Sequence, residues 1–332
     1  MRSSGMPRRA FIVTMTGGIL LVAPLIAGAQ PAKRMPRIGV LSPASATEGL
    51  PNLQALQAGL RELGYIEGQN VTVEARWAEG HTERLPELAA ELVRRPVEVL
   101  CTAGTQASQA AKRSTSTIPI VFANVAFPDR TGLVASYARP GGNVTGVAFI
   151  GPEYGKRLEL LKEALPGLSR VALIYNPENA GSVLALEETQ RWAATLAVRL
   201  EPHKFRGSHD FELVFGALAG RRPDALMTTA DPLIHSYRVR IADFALKHRL
   251  PSMYPGREFV DSGGLMFYGG SIPEMYRRAA VYVDRILKGA RTGELPVEQP
   301  TKFDMVINLS TARALGVTIS PSLLQRADEV IE

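Results

Sequence analysis

The side chains that could do chemistry in this chain stand apart from one another. Five histidines, His81, His203, His209, His235 and His248, show no His-x-x-x-His spacing and no Glu-His pair on one helix face, the arrangements that hold zinc. They read as surface or helix-cap residues. No Gly-x-Ser-x-Gly elbow presents a nucleophile, no loop ending in Gly-Lys-Ser/Thr cradles phosphate, and no Gly-x-Gly-x-x-Gly follows a strand to receive a dinucleotide. Cys101 is the single cysteine, which excludes an internal disulfide and a thiolate metal cluster. Its setting in Val97-Glu98-Val99-Leu100-Cys101 is that of a buried strand thiol. Acid–base chemistry would have to draw on Asp129, Asp231 and Glu258, whose convergence the sequence does not show. Lacking a nucleophile, a metal set and a cofactor loop, the chain reads as a binder without cofactor or metal, not an enzyme.

What remains is a set of polar residues at matched positions in two similar halves. Apolar runs alternate with helix-period segments, the pattern of parallel sheets flanked by helices. Arg37 to Leu41 forms a short strand, and the helix after it sets Leu53, Leu56, Leu60 and Leu63 on one stripe. Leu85, Leu88, Ala89, Leu92 and Val93 make a second helical face, and strands follow at Val97 to Cys101 and Ile118 to Ala123. Pro140-Gly141-Gly142-Asn143 is a turn. The second half repeats the plan with a strand at Arg170 to Tyr175, a helix at Ser182 to Leu196 and a strand at Asp224 to Thr229. The opening strands run into Ser42-Pro43 and Asn176-Pro177, and later strands end in Ala103-Gly104-Thr105 and Ala230-Asp231-Pro232. Open parallel sheets bind ligands beyond the carboxyl ends of their strands, which makes Ser42 and Asn176 candidate polar contacts. The expected fold is α/β: two similar doubly wound parallel-sheet lobes joined by a hinge of several crossings, favoured over one large doubly wound sheet because sheets of more than ~10 strands are uncommon. Gly263 to Tyr268 reads as a strand, Tyr276 to Leu287 as a helix, and Leu295 to Pro300 as a connector that proline keeps extended. The first lobe is expected over 36–147 plus about 264–296, and the second over 148–263 plus about 297–332.

The first 29 residues read as an export leader, with Arg2, Arg8 and Arg9 before an apolar run that closes on Ala27-Gly28-Ala29. Gly17, Gly18 and Pro24 interrupt that run, which falls short of the ~20 apolar residues of a membrane span. Arg8-Arg9-Ala10-Phe11-Ile12 also resembles the twin-arginine export signature. A soluble periplasmic protein is expected. Removing 29 residues from 332 leaves 303, about twice the usual size of one domain. The net charge of +6 loses three arginines with the leader and falls to +3, and no basic stripe with interleaved aromatics appears, so nucleic acid is not an expected partner.

Ile118-Pro119-Ile120-Val121-Phe122, Arg139 to Gly146, Gln299-Pro300-Thr301-Lys302-Phe303 running through Ile307-Asn308-Leu309 to Ala314-Leu315-Gly316, and the closing Arg326 to Glu332 together resemble a known family. It is the periplasmic substrate-binding proteins of ABC transporters, in the tryptophan/tyrosine-type group. The resemblance implies a two-lobed type I periplasmic binding protein fold that closes on a small amino-acid-like ligand and delivers it to a membrane permease; a monomer is expected. The same fold could instead serve a membrane sensor. The family's Gly-Thr matches Gly104-Thr105, whose amide and hydroxyl could hold a ligand carboxylate, with Thr105 also placed to cap a helix. Asp231 occupies the corresponding turn of the second lobe, where an acid could pair with a ligand ammonium or serve as an N-cap. Tyr254 and Tyr268 could supply an aromatic wall. Many relatives carry Asp-Pro-Val where this chain has Phe127-Pro128-Asp129. The acid is displaced by two positions, and Phe127 would exchange a charged ligand contact for an apolar one.

Overall fold

The structure is a computed structural model that describes residues 35–149 and 152–332; the export leader expected over 1–29 lies outside the described residues. The first lobe is built from β1 (Arg37–Ser42), α1 (Ala46–Glu62), β2 (Thr72–Trp77), α2 (Leu85–Arg94), β3 (Val99–Ala103), α3 (Gly104–Ser114), β4 (Ile120–Ala126) and β5 (Val144–Phe149). Its five strands lie in the order β2-β1-β3-β4-β5, all parallel. Both faces are covered by helices, which is why β1, β3 and β5 are apolar almost without alternation. Cys101 lies buried in β3, and burial pushes its thiol up to about 12.

The second lobe comprises α4 (Pro152–Ala164), β6 (Arg170–Tyr175), α5 (Ala180–Thr195), β7 (Arg199–Lys204), α6 (Ser208–Arg221), β8 (Ala225–Thr228), α7 (Pro232–Ser236), α8 (Arg238–Lys247), β9 (Ser252–Tyr254), α9 (Arg257–Asp261) and β10 (Met266–Gly269). After it, α10 (Ile272–Leu287) returns to the first lobe, and β11 (Asp304–Asn308), α11 (Leu309–Leu315), α12 (Pro321–Arg326) and β12 (Glu329–Ile331) finish the second. The second sheet runs β12-β11-β10-β9-β8-β6-β7. It departs from a purely parallel sheet at one pair, because β11 re-enters from the first lobe and lies antiparallel to β10.

The division of the tail differs from the expected boundaries. Residues 264–269 belong to the second lobe, not the first, because β10 pairs with β9 on one side and β11 on the other. The return falls at Gly270-Ser271, where the Ser271 hydroxyl accepts from the Glu274 amide to start α10. That helix sinks Met275, Tyr276, Ala279, Ala280 and Val283 into the first-lobe core beside Ile38, Leu56, Leu60 and Val121. The chain thus crosses between lobes three times: between β5 and α4, at Gly270-Ser271, and along 296–303. The third crossing is extended and tied to β5, with Glu298 N–H donating to Gly146 O (3.0 Å) and Ala148 N–H to Glu298 O (2.9 Å).

Candidate functional site

A cleft of about 260 Å³ opens between the lobes at the carboxyl ends of both sheets. This lies just under the roughly 300–1,000 Å³ usual for ligand pockets, so its guest is a small molecule. The first lobe contributes Ser42 and Pro43 after β1, Glu48 and Pro51 on α1, Gly104 after β3, Asn124 near the end of β4, and Pro273 and Tyr276 on α10. The second contributes Asp231 and Pro232 after β8, His235 and Arg238 beyond them, and Pro255, Glu258 and Phe259 after β9. Five wall residues are prolines, whose fixed φ leaves little backbone to order on binding.

Charge is concentrated on the second-lobe wall. Arg238 Nη1 reaches across the cleft to Glu48 Oε1 at 2.8 Å, and His235 Nε2 lies 3.5 Å from Glu258 Oε2. Burial pulls the Glu258 carboxyl upward, but the neighbouring His235 ring outweighs it and leaves it below the usual carboxylate range. Asp231 is buried and caps α7, its Oδ1 accepting from Ile234 N–H at 3.0 Å. Its Oδ2 accepts from Asn179 Nδ2 (2.7 Å) and Asn176 Nδ2 (3.1 Å). Burial is the larger influence and raises this carboxyl despite those donors. On the facing wall α3 begins at Ala103 with no side-chain cap, so its first-turn amides have no side-chain acceptor. Gly104 holds φ +71°, and a Cβ there would lie 3.4 Å from Pro232 Cγ of the other lobe.

The nine candidates separate cleanly. Ser42, Gly104 and Asp231 line the cleft. Ser42 Oγ accepts from the Ala44 amide at 3.2 Å. Asn176 stands behind the wall, holding Asp231 and accepting from Glu178 N–H. Thr105 is not the cap of α3; it is buried where the lobes touch, its Oγ1 2.6 Å from the place a Cβ on Gly181 would take. Phe127 is off the cleft and stacked on Tyr154 at 5.7 Å, while Asp129 is exposed. Tyr254 is buried behind Phe259, stacked at 4.4 Å, and Tyr268 stacks on Phe303 at 5.9 Å. The aromatic wall is instead Phe259 and Tyr276. His235 is likewise neither a surface residue nor a cap: it is a wall residue paired with Glu258. Sequence reasoning missed Glu48, Asn124, Arg238 and Tyr276. Asn124 alone left a signal, a polar residue inside an apolar strand, and it takes φ +60° where β4 shifts register. Among the described residues no group of acids, histidines and cysteines could hold a metal ion, and no helix is long and apolar enough to cross a membrane.

The sequence pattern of the ABC transporter substrate binding protein family matches residues 37–331. The chain belongs to that family. As a family member it is the extracytoplasmic substrate-binding component of an ABC transporter, binds a small molecule and is not an enzyme. It is similar to the tyrosine-binding protein of Clostridioides difficile (strain R20291), 26% identical over 271 residues that cover 80% of this chain and 78% of that protein. Among solved structures it resembles a conserved domain protein from Vibrio cholerae, with a TM-score of 0.85, 29% identity and coverage of 90% of this chain and 100% of that one. It also resembles an ABC domain from Streptococcus pneumonia in complex with L-Trp, with a TM-score of 0.84, 25% identity and coverage of 89% and 99%. The two-lobed α/β architecture is shared with these solved structures.

Proposed function

We propose that this substrate-binding protein works in the periplasm as a monomer, shuts its lobes on an amino-acid-like ligand with an aromatic side chain, and presents the closed form to a permease. The observation that carries the reading is the pairing of opposite recognition groups on facing walls. The uncapped start of α3 at Gly104 offers amides to a carboxylate, and Asp231 and Glu258 offer acids to an ammonium. Phe259 and Tyr276 line the space between as apolar surface for a ring. The tyrosine-binding relative and the structure holding L-Trp support an aromatic amino acid as the guest.

Titration calorimetry with L-tyrosine, L-tryptophan and a panel of aliphatic amino acids tests this reading. Saturable binding of an aromatic member at micromolar or lower concentration is the expected result. Heat signals absent for all aromatic members would refute the ligand class.

A further inference from the structure

A second contact between the lobes lies clear of the cleft wall. Ala126 and Phe127, at and just after the end of β4, pack in one apolar cluster with Tyr154 on α4 and with Leu184 and Ala185 on α5. Phe127 and Tyr154 are buried, with ring planes 18° apart. The Arg130 guanidinium carbon lies 5.4 Å above the Phe127 ring. From there Arg130 donates to Glu187 Oε2 at 2.7 Å and to Glu188 Oε1 at 3.0 Å, both on α5. Phe127 holds φ +50°, a left-handed backbone that a bulky residue keeps only where its surroundings require it. The stack and both ion pairs join one lobe to the other. Separating the lobes here would unstack the rings, wet the cluster and part the ion pairs.

We propose that Phe127, supported by Tyr154 and Arg130, is a closure-positioning residue that sets the balance between open and closed forms and so tunes affinity without touching ligand. The inference rests on the solute-binding reading above. A protein that binds tightly only when closed shows an apparent dissociation constant equal to the intrinsic one divided by the closed fraction. A residue that alters only that fraction therefore weakens every ligand by one common factor. A ligand contact alters the ratio between ligands.

The test uses the full chain with spin labels on Leu50→Cys and Val239→Cys, one on each lobe and both exposed. The native Cys101 is buried and unreactive, so labelling stays confined to the two new thiols. In Phe127→Ala the ratio of short to long inter-label distances should fall by roughly five- to seventyfold, the span expected from losing an aromatic pair and its cation–π partner. Affinities for L-tyrosine and L-tryptophan should fall together with their ratio unchanged. Arg130→Gln, which leaves the buried rings in place, should give a smaller shift in the same direction. An unaltered distance distribution in both variants overturns the proposal, and so does a changed ratio between the two amino acids. Should neither amino acid bind, the distance measurement still decides the matter, and the ligand assignment fails separately.

Discussion

At the scale of single residues, Asp231 carries the sharpest conflict between folding and binding. Its carboxyl titrates above the ordinary 3.8 because burial outweighs the amides of Asn179, Ile234 and Asn176. A carboxyl raised on folding lends its stability below the unfolded value, and that stability is lost as the pH climbs through the folded one. Asp231→Asn removes the buried charge and keeps a good N-cap. Its new Nδ2 would face the Asn176 and Asn179 donors, so some stability is lost at every pH, but the melting point relative to the parent should be more favourable at pH 7 than near pH 3, while affinity for an ammonium-bearing ligand drops roughly tenfold or more. Thermal melts at the two pH values, set beside calorimetry, check both halves. The places of Asp231, Ser42 and Gly104 on the cleft wall were legible in the sequence because strand ends of a parallel sheet point to one crevice whatever the helices do. Glu48, His235 and Arg238 were not, since the side of a helix that meets the cleft depends on how the helix is rotated in packing. Thr105, Asn176 and Tyr254 were found close to the site but lie outside the lining of the cleft. Proximity to a strand end does not distinguish the wall from the layer behind it.

At the scale of elements, the alternation of strands and helices gave the two sheets but left gaps at their borders. β2 and β7 are edge strands with polar or half-exposed side chains and lack the apolar run that marks β1 or β8. β10 was recognised as a strand but assigned to the wrong lobe. Nothing in Met266-Phe267-Tyr268-Gly269 states its neighbours, and only the pairing with β9 and β11 fixes them. The helix after it was legible from its apolar stripe, and its docking depends on a small residue far away in sequence. A Cβ on Gly59 of α1 would come within 2.6 Å of the Arg277 carbonyl and 2.9 Å of Ala280 Cβ. Gly59→Val should therefore force α1 away from α10 and lower stability by about 1–3 kcal/mol. Urea unfolding followed by circular dichroism reads the loss, and an unchanged midpoint would show that the helix pair yields without strain.

At the scale of the whole molecule, the lobes meet through short-range contacts that a single methyl can disturb. A Cβ on Gly181, at the start of α5, would lie 2.6 Å from Thr105 Oγ1 and 3.4 Å from Ala126 Cβ on the other lobe. Thr105 is β-branched and buried, so it has little room to turn aside. Gly181→Ala should prop the lobes apart, enlarge the radius of gyration measured by small-angle scattering under saturating ligand, and weaken binding roughly tenfold while each lobe keeps its fold. The Glu48–Arg238 bridge belongs to the same scale. Being partly exposed, it should add to affinity at low salt and fade as ionic strength rises. The three passages of backbone between the lobes set the geometry of all these movements. One passage would act as a swivel, free in every direction, and two as an axle that still permits slippage along its length. With three, one of them stitched to β5, a twist of one lobe on the other is opposed at more than one place. On the proposed closure, three passages would leave the motion one soft direction, so the same faces would come together at every cycle and offer a membrane partner a single repeatable outline.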